Sequence, residues 1–272
     1  MDIIKKRAAV IATGWMGDTI ACTAAATSLA EMGYETTLFI RWPQLKPILD
    51  NDTRFTTRIY WRTNVLKFFV PLLKRWFDLV IWEPSKWSYQ EPFTSEIRRM
   101  AGCDIFPEYS LTLNGASGFL SPSKKAKKSR AVVSISRDLY KRLYGRDSED
   151  LISQISEFCD IKWVGLDPLK NSKHGKKSDL IEDARSIAES DAFLGPEGGM
   201  LWLAAGLGKT SVYFTEHILE VEKVNGATNL DRILGSVNYF PQENKYFALP
   251  YFCENEVAVN TLKQALSLAL DD

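Results

Sequence analysis

The chain has 272 residues, of which 45% are hydrophobic and 25% are charged, a composition typical of a folded globular protein. This composition excludes disordered chains, collagen-like repeats and disulfide-rich mini-proteins, and the length is at the upper limit for one core, which favours two domains. The 34 basic and 34 acidic side chains cancel, so the net charge predicts neither a polyanionic partner nor an anionic membrane surface.

The cysteines, the histidines and the apolar runs set the expected chemical environment. The four cysteines are far apart with no CxxC pair and there are only two histidines, so we expect reduced thiols and no structural metal. The apolar run in MDIIKKRAAVIATG is too short for a signal sequence, and no run reaches the roughly 18 apolar residues that suggest a membrane span. We therefore expect a cytoplasmic protein, and contact with the inner face of the membrane stays open.

The first part of the chain predicts a parallel βαβ unit. An apolar strand over 8–12 is followed by a glycine turn, a helix over 17–32 that ends at Gly33, and a strand over 36–40. A helical face then runs from residue 66 to residue 77, before a buried strand over 78–82 and a helix over 91–101. The segment over 65–77 combines an apolar stripe with Lys67, Lys74, Arg75 and Trp76, which also suits an interfacial membrane helix, although packing on the sheet is the favoured interpretation.

A second α/β series follows a polar segment over 113–130 that is rich in Gly, Ser, Pro and Lys. We place the domain boundary there, between an N-terminal domain over 1–125 and a C-terminal domain over 126–272. Strands are predicted over 131–135, 161–166, 192–194 and 210–214, and helices over 148–158, 180–190, 201–207 and 256–270. Together the two series predict an α/β protein with two Rossmann-like domains whose parallel sheets face a central cleft.

The first candidate site is the sequence GWMGD, residues 14–18, at the carboxyl end of the first strand. Open α/β sheets bind their ligands at this edge, and the glycines Gly14 and Gly17 allow a sharp turn and close approach. Asp18 can accept a proton from a hydroxyl group or can stabilise the start of the helix, and both roles stay open. The spacing lacks a GxGxxG dinucleotide fingerprint and a Walker loop.

The second candidate site is AFLGPEGGMLWLAAGLGKT, residues 192–210. A strand runs into Gly-Pro-Glu-Gly-Gly and then into a helix of small residues, so unpaired amide N–H groups near Gly198 can hold phosphate oxygens. Glu197 would repel such a phosphate, which suggests that it binds sugar hydroxyls instead. The alternative is a tight turn that only packs the helix on the sheet.

The two motifs together resemble glycosyltransferase family 9, the bacterial heptosyltransferase-like enzymes. The resemblance implies a GT-B fold and an inverting, metal-independent transfer of a sugar, without a cofactor, from a nucleotide-diphosphate donor in the C-terminal domain. The acceptor hydroxyl would be presented by the N-terminal domain on a glycan or lipid-linked molecule, with lipopolysaccharide or another glycan as the favoured acceptor.

The same resemblance implies roles for individual residues. Asp18 matches the general base, and Gly14, Trp15 and Gly17 would form the acceptor side or its loop. On the donor side the matching residues are Lys141, Arg142, Glu197, Gly198, Gly199 and Met200. Lys141 would offset charge on the leaving diphosphate, with Arg137 and Arg142 as competitors. The chain departs from its relatives at Trp202, where they commonly have histidine.

Other signals leave two alternative functions open. The lysine clusters over 124–130 and 170–177 suit either solvated loops or contact with a polyanion, so a phage-type enzyme that glycosylates DNA is one alternative. A catalytically inactive nucleotide-binding module is the other. Trp82 and Glu83, at the end of the strand DLVIW, point toward the cleft and could contact the acceptor, and His217 could lie near the nucleotide base.

Overall fold

The first sheet is parallel throughout and is formed by strands from the N-terminal third of the chain. The computed structural model describes residues 6–60, 70–83, 93–103, 130–139, 143, 148–165, 179–215, 246–251 and 253–271. In chain order the first elements are β1 Arg7–Ile11, α1 Met16–Glu31, β2 Glu35–Ile40, a 3-10 turn Pro43–Leu45, α2 Lys46–Leu49, β3 Phe55–Ile59, α3 Val70–Trp76, β4 Leu79–Trp82 and α4 Phe93–Met100. The strand order is β3-β2-β1-β4.

The order of the first sheet reverses beside β1, because β2 and β3 lie on one side of it and β4 on the other. Ile11 of β1 pairs with Phe39 of β2 and with Trp82 of β4, so the three strands end at one edge. Such a reversal opens a crevice at the carboxyl ends of the strands, where ligands bind in open α/β sheets. The βαβ unit and the strand before Glu83 are confirmed.

The second sheet is also parallel and has the order β6-β5-β7-β8-β9. Its elements are β5 Ala131–Ser136, α5 Ser148–Ser156, β6 Cys159–Val164, α6 Leu180–Ala188, β7 Ala192–Pro196, α7 Gly199–Gly206, β8 Thr210–Thr215, β9 Tyr246–Pro250 and α8 Asn255–Asp271. The order reverses between β5 and β7, so a second crevice opens where these two strands end. The predicted α/β class with two parallel sheets is confirmed.

The structure differs from the sequence-based expectations at strands β3, β6 and β9, and it adds the short helix α2 and the 3-10 turn before it. Strand β3 and strand β9 were not predicted, and β6 begins two residues before the predicted strand over 161–166. In β3 the sequence FTTRI alternates buried and exposed residues at the edge of the sheet, so it lacks the continuous apolar run of the central strands. The predicted domain boundary lies outside the described residues, as does the segment 65–69 of the proposed interfacial helix.

Two helices made mostly of small or apolar residues connect the sheets. Helix α1 is rich in Ala and Thr and is buried from Thr19 to Leu29, and α7 is buried from Leu201 to Gly206. A helix that is buried on all sides needs such a composition, because it has no solvent face to carry charges. One core cluster contains residues of α1, α6, α7 and both sheets, while a second lies between the second sheet and helices α5 and α8.

None of the helices in the described part of the chain combines the length and apolar character needed to cross a bilayer.

Candidate functional site

The register of β1 and β4 brings Glu83 beside the glycine loop that follows β1. The backbone N–H of Glu83 continues the ladder by donating to the carbonyl oxygen of Ile11 at 2.9 Å. The Glu83 carboxylate then turns onto the loop, where Oε2 accepts from the backbone N–H of Thr13 at 2.6 Å and of Gly14 at 2.8 Å. One side chain therefore fixes the conformation of the first candidate motif.

Gly14 lies between two carboxylates that leave no room for a side chain at residue 14. A Cβ atom at this position would lie 2.3 Å from Oδ2 of Asp18 and 2.4 Å from Oε1 of Glu83. Both distances start from one point, so the two oxygens are less than about 5 Å apart, within the range where like charges disfavour each other's ionisation. The glycine predicted to permit close approach therefore permits two acidic side chains to converge.

Asp18 is the third residue of α1 and is half-buried. Its Oδ2 accepts from the backbone N–H of Trp15 at 2.6 Å, so it satisfies an otherwise unpaired donor at the helix start. Burial raises the pKa of Asp18 above its ordinary value, and the backbone N–H groups of Trp15 and Asp18 lower it in part. The capping role is thus present, and it coexists with the raised proton affinity that a general base needs.

Glu83 has a raised pKa as well. Burial is its largest cause, the N–H of Gly14 opposes it, the charge of Asp18 raises the pKa further, and the N–H of Thr13 opposes it. The thiol of Cys22, one turn further along α1, is fully buried, and burial followed by the charges of Glu83 and Asp18 raises its pKa well above the ordinary value. The thiol is therefore neutral, and the charge at this edge belongs to the two carboxylates.

Two tryptophans flank the carboxylate pair. Trp15 is 76% exposed although it lies in the middle of the motif. Its ring centroid is 6.0 Å from that of Trp42, with a tilt of 36° between the ring planes. The indole Nε1 of Trp42 donates to the carbonyl oxygen of Gly14 at 3.1 Å, which anchors Trp42 to the same loop. Sequence reasoning missed Trp42, although its place two residues after β2 put it at the ligand-binding edge.

The helix of the second candidate motif begins after a glycine with a positive φ. Gly198 is exposed, has a φ of 150°, and is the N-terminal cap of α7. Its carbonyl oxygen accepts the first helical hydrogen bond, from the N–H of Trp202 at 3.1 Å. A residue with a Cβ atom rarely adopts this φ, so glycine is needed to turn the chain from β7 into the helix. The amide N–H groups that follow have no partner within a helix that starts there.

Glu197 is held at the mouth of the second sheet. Its Oε2 accepts from Oγ1 of Thr215 at 2.8 Å, and its backbone N–H donates to the carbonyl oxygen of Phe214 at 2.9 Å. The neighbouring Tyr213 has a raised pKa, first because it is buried and then because of the charge of Glu197. These contacts orient the carboxylate along the end of β8.

Among the described residues, Arg137 is the cation at the carboxyl end of β5. Its backbone N–H donates to Val164 at 2.9 Å, and one guanidinium nitrogen donates to the carbonyl oxygen of Gly165 at 2.9 Å. A Cβ atom on Gly165 would lie 3.6 Å from Cγ of Met200, so this cation lies close to the first turn of α7. Lys141 and Arg142, the preferred residues for this role, lie outside the described residues, as do His217 and the lysine clusters.

The two candidate motifs meet through the first turns of their helices. A Cβ atom on Gly17 would lie 2.4 Å from Cδ1 of Trp202, and one on Gly199 would lie 2.3 Å from Cε of Met16. The two glycines thus let α1 and α7 approach so closely that the backbone of each helix contacts a side chain of the other. Trp202 is 2% exposed and forms part of this packing, so its indole is a structural contact between the helices.

In the described ranges, no three His, Cys, Asp or Glu side chains form a group that could hold a metal ion.

No protein-family model matches the sequence, and no curated protein matches it. Solved structures do match. Heptosyltransferase WaaC from E. coli, solved with ADP-2-deoxy-2-fluoro heptose, is 13% identical with a TM-score of 0.58, and the match covers 96% of this chain and 99% of WaaC.

Two further matches have the same character. A glycosyltransferase family 9 protein from Veillonella parvula is 10% identical with a TM-score of 0.58, over 96% of this chain and 97% of that one. TibC from enterotoxigenic E. coli, an iron-containing dodecameric glycosyltransferase, is 10% identical with a TM-score of 0.50, over 78% of this chain, which spans only 59% of TibC. The chain therefore has the predicted fold of GT-B glycosyltransferases.

Proposed function

We propose that this chain is a glycosyltransferase that moves a sugar from a nucleotide-diphosphate donor to an acceptor hydroxyl. The observation that carries the proposal is the contact between the first turns of α1 and α7, where Met16 touches Gly199 and Trp202 touches Gly17. Asp18, whose pKa is raised, lies in the first turn of α1, and the unpaired amide N–H groups lie in the first turn of α7. The contact between these two turns therefore brings a candidate base and a candidate phosphate site next to each other. The full-length fold match to WaaC supports the same function.

On the donor side, the diphosphate would lie on the amide N–H groups at Gly198 and Gly199. Each charge-assisted hydrogen bond of this kind contributes roughly 1.5–3 kcal/mol, so two or three can hold a diphosphate. Arg137 would add a positive charge as the diphosphate leaves, together with Lys141 or Arg142. Glu197, which Thr215 holds in place, would accept hydrogen bonds from sugar hydroxyls.

On the acceptor side, the hydroxyl would approach Asp18 past the exposed face of Trp15. Asp18 removes the hydroxyl proton, the acceptor oxygen bonds to the anomeric carbon, and the bond from that carbon to the diphosphate breaks. The configuration at the anomeric carbon would be inverted, and no metal ion or other cofactor takes part in the step. The indole of Trp15 offers a flat apolar surface for a glycan acceptor, while a lipid-linked acceptor would bring the chain to a membrane surface.

The substitution Asp18→Asn tests the proposal. The asparagine oxygen can still accept from Trp15, so the helix cap is retained, but the side chain can no longer take a proton. Removal of a general base typically lowers turnover by about 10²- to 10⁴-fold. We expect that loss in a transfer assay, with donor affinity unchanged by calorimetry. Asp78→Asn is the matched control, because Asp78 also accepts a backbone N–H, from Arg7, but at the opposite edge of the sheet.

The donor is identified first by thermal stability in the presence of nucleoside diphosphates. A ligand at about 100 times its dissociation constant adds roughly 2.7 kcal/mol to the free energy of unfolding. Adenosine diphosphate heads the panel because WaaC has been solved with ADP, followed by the uridine, guanosine and cytidine compounds. Binding of a nucleotide without transfer to any acceptor would favour an inactive nucleotide-binding module instead.

A further inference from the structure

A second carboxylate lies at the catalytic edge, and the transfer step described above does not use it. Glu83 is buried to a similar degree as Asp18, follows the neighbouring strand, and directs one oxygen to the loop and the other toward Asp18. A carboxylate whose only role is to fix the loop would gain nothing from a neighbour of like charge, because the mutual repulsion costs stability. A functional site, in contrast, can retain such a pair to strengthen a base.

We propose that Glu83 is a positioning residue for Asp18, holding the Gly14 loop through two backbone hydrogen bonds and presenting a negative oxygen that makes Asp18 a stronger base. This inference rests on the proposed transferase function and assigns Glu83 a role in that reaction. The proton that leaves the acceptor hydroxyl goes to Asp18. The two carboxylates share one region of low solvent exposure, so they titrate as a pair.

The charged and titratable groups around the pair are few in the part of the chain that is described. Cys22 on α1 is neutral, and Tyr60 at the end of β3 donates its hydroxyl to the carbonyl oxygen of Ala12 at 2.7 Å. Arg41, which follows β2 at the same edge, is exposed to solvent. Trp202 and Met200 of the facing helix carry no charge.

The direction of the pH effect follows from burial and from the like charges. Both raise the pKa of Glu83, burial raises the pKa of Asp18, and the transferase therefore loses its base as the pH falls through the raised values. In Glu83→Gln the amide oxygen can replace Oε2 as acceptor for Thr13 and Gly14. The amide nitrogen then faces Asp18 as a donor, which favours the charged form of Asp18 and lowers its pKa.

The test is the pH profile of kcat/KM for wild type, Glu83→Gln and Asp78→Asn. We expect the acid limb of Glu83→Gln to move to lower pH by about one unit, with a lower plateau because the base is weaker. Asp78 flanks the amino end of β4 as Glu83 flanks its carboxyl end, so Asp78→Asn should keep the wild-type limb. An acid limb of Glu83→Gln that coincides with wild type would show that Glu83 only supports the loop, and would overturn the proposal.

A second measurement does not depend on turnover. Because pKa values raised in the folded state mean that folding takes up protons, the contribution of the pair to the free energy of unfolding is fully present below the ordinary carboxylate pKa of about 4. This contribution should fall as the pH rises through the raised values. This fall should be smaller in Glu83→Gln and in Asp18→Asn, and the two effects should be non-additive in the double variant. Additive effects at every pH would overturn the pairing. A wild-type chain that shows this coupling but transfers no sugar would contradict the proposed function alone.

Discussion

The indole of Trp202 packs directly on Gly17, where a Cβ atom would lie 2.4 Å from the ring carbon Cδ1. The resemblance to glycosyltransferase family 9 draws attention to Trp202, because relatives commonly have histidine there. Trp202 is buried, so its side chain packs between α1 and α7 at this position. A large apolar ring fills the space between the two helices.

The first prediction concerns this helix contact. Gly17→Ala should lower the free energy of unfolding by about 1–3 kcal/mol, because the added methyl group meets a buried ring that cannot move away. Gly199→Ala is the matched comparison and should cost less, since it meets the flexible end of Met16. Urea denaturation measures both values. Equal stability of Gly17→Ala and wild type would mean that the helices are further apart than the structure has them.

The second prediction concerns the acceptor surface. Trp15→Ala should change the free energy of unfolding by no more than about 0.5 kcal/mol, because the side chain is exposed. The KM for the acceptor should rise about fivefold if one aromatic contact of about 1 kcal/mol is lost, while donor affinity stays constant. Trp76→Ala is the control, since Trp76 is also largely exposed but is the last residue of α3, which leads into the amino end of β4 and not to the carboxyl edge. An unchanged acceptor KM in Trp15→Ala would remove Trp15 from the acceptor site.

The third prediction concerns the cation near α7. Arg137→Gln should weaken binding of a nucleoside diphosphate about 10- to 100-fold, because a hydrogen bond to a charged group contributes about 1.5–3 kcal/mol. Arg130→Gln is the matched control at the amino end of the same strand, where Arg130 donates to Ser156 and lies beside Asp160. Calorimetric titration of both variants decides the role. If Arg137→Gln binds as wild type does, the charge must come from Lys141 or Arg142.

Sequence patterns predicted most of the central elements because their physical causes are local. Continuous apolar runs indicate the inner strands β1, β5, β7 and β8, and glycines with positive φ at Gly33 and Gly208 end the helices before β2 and β8. Strand β3 was missed because an edge strand with threonines on one face lacks such a run. Strand β9 was missed because its five residues carry no periodic signal beyond a short apolar stretch.

The candidate site was predictable only in part, since its geometry depends on register between distant strands. Asp18 and the Gly198–Gly199 turn could be chosen from local motifs, and their roles stay predictions. The approach of Glu83 to Gly14 depends on which strand pairs with β1, and the position of Trp42 depends on β2 ending beside β1. The position of Arg137 near the first turn of α7 depends on the contact between Gly165 and Met200, which joins residues far apart in sequence.

The structure of the chain bound to its nucleotide-diphosphate donor tests the central claim most directly. We predict diphosphate oxygens within hydrogen-bond distance of the amide nitrogens at Gly198 and Gly199, and an anomeric carbon that faces the Asp18 carboxylate. A donor bound elsewhere, or a sugar directed away from Asp18, would contradict the claim that one site spans the starts of α1 and α7.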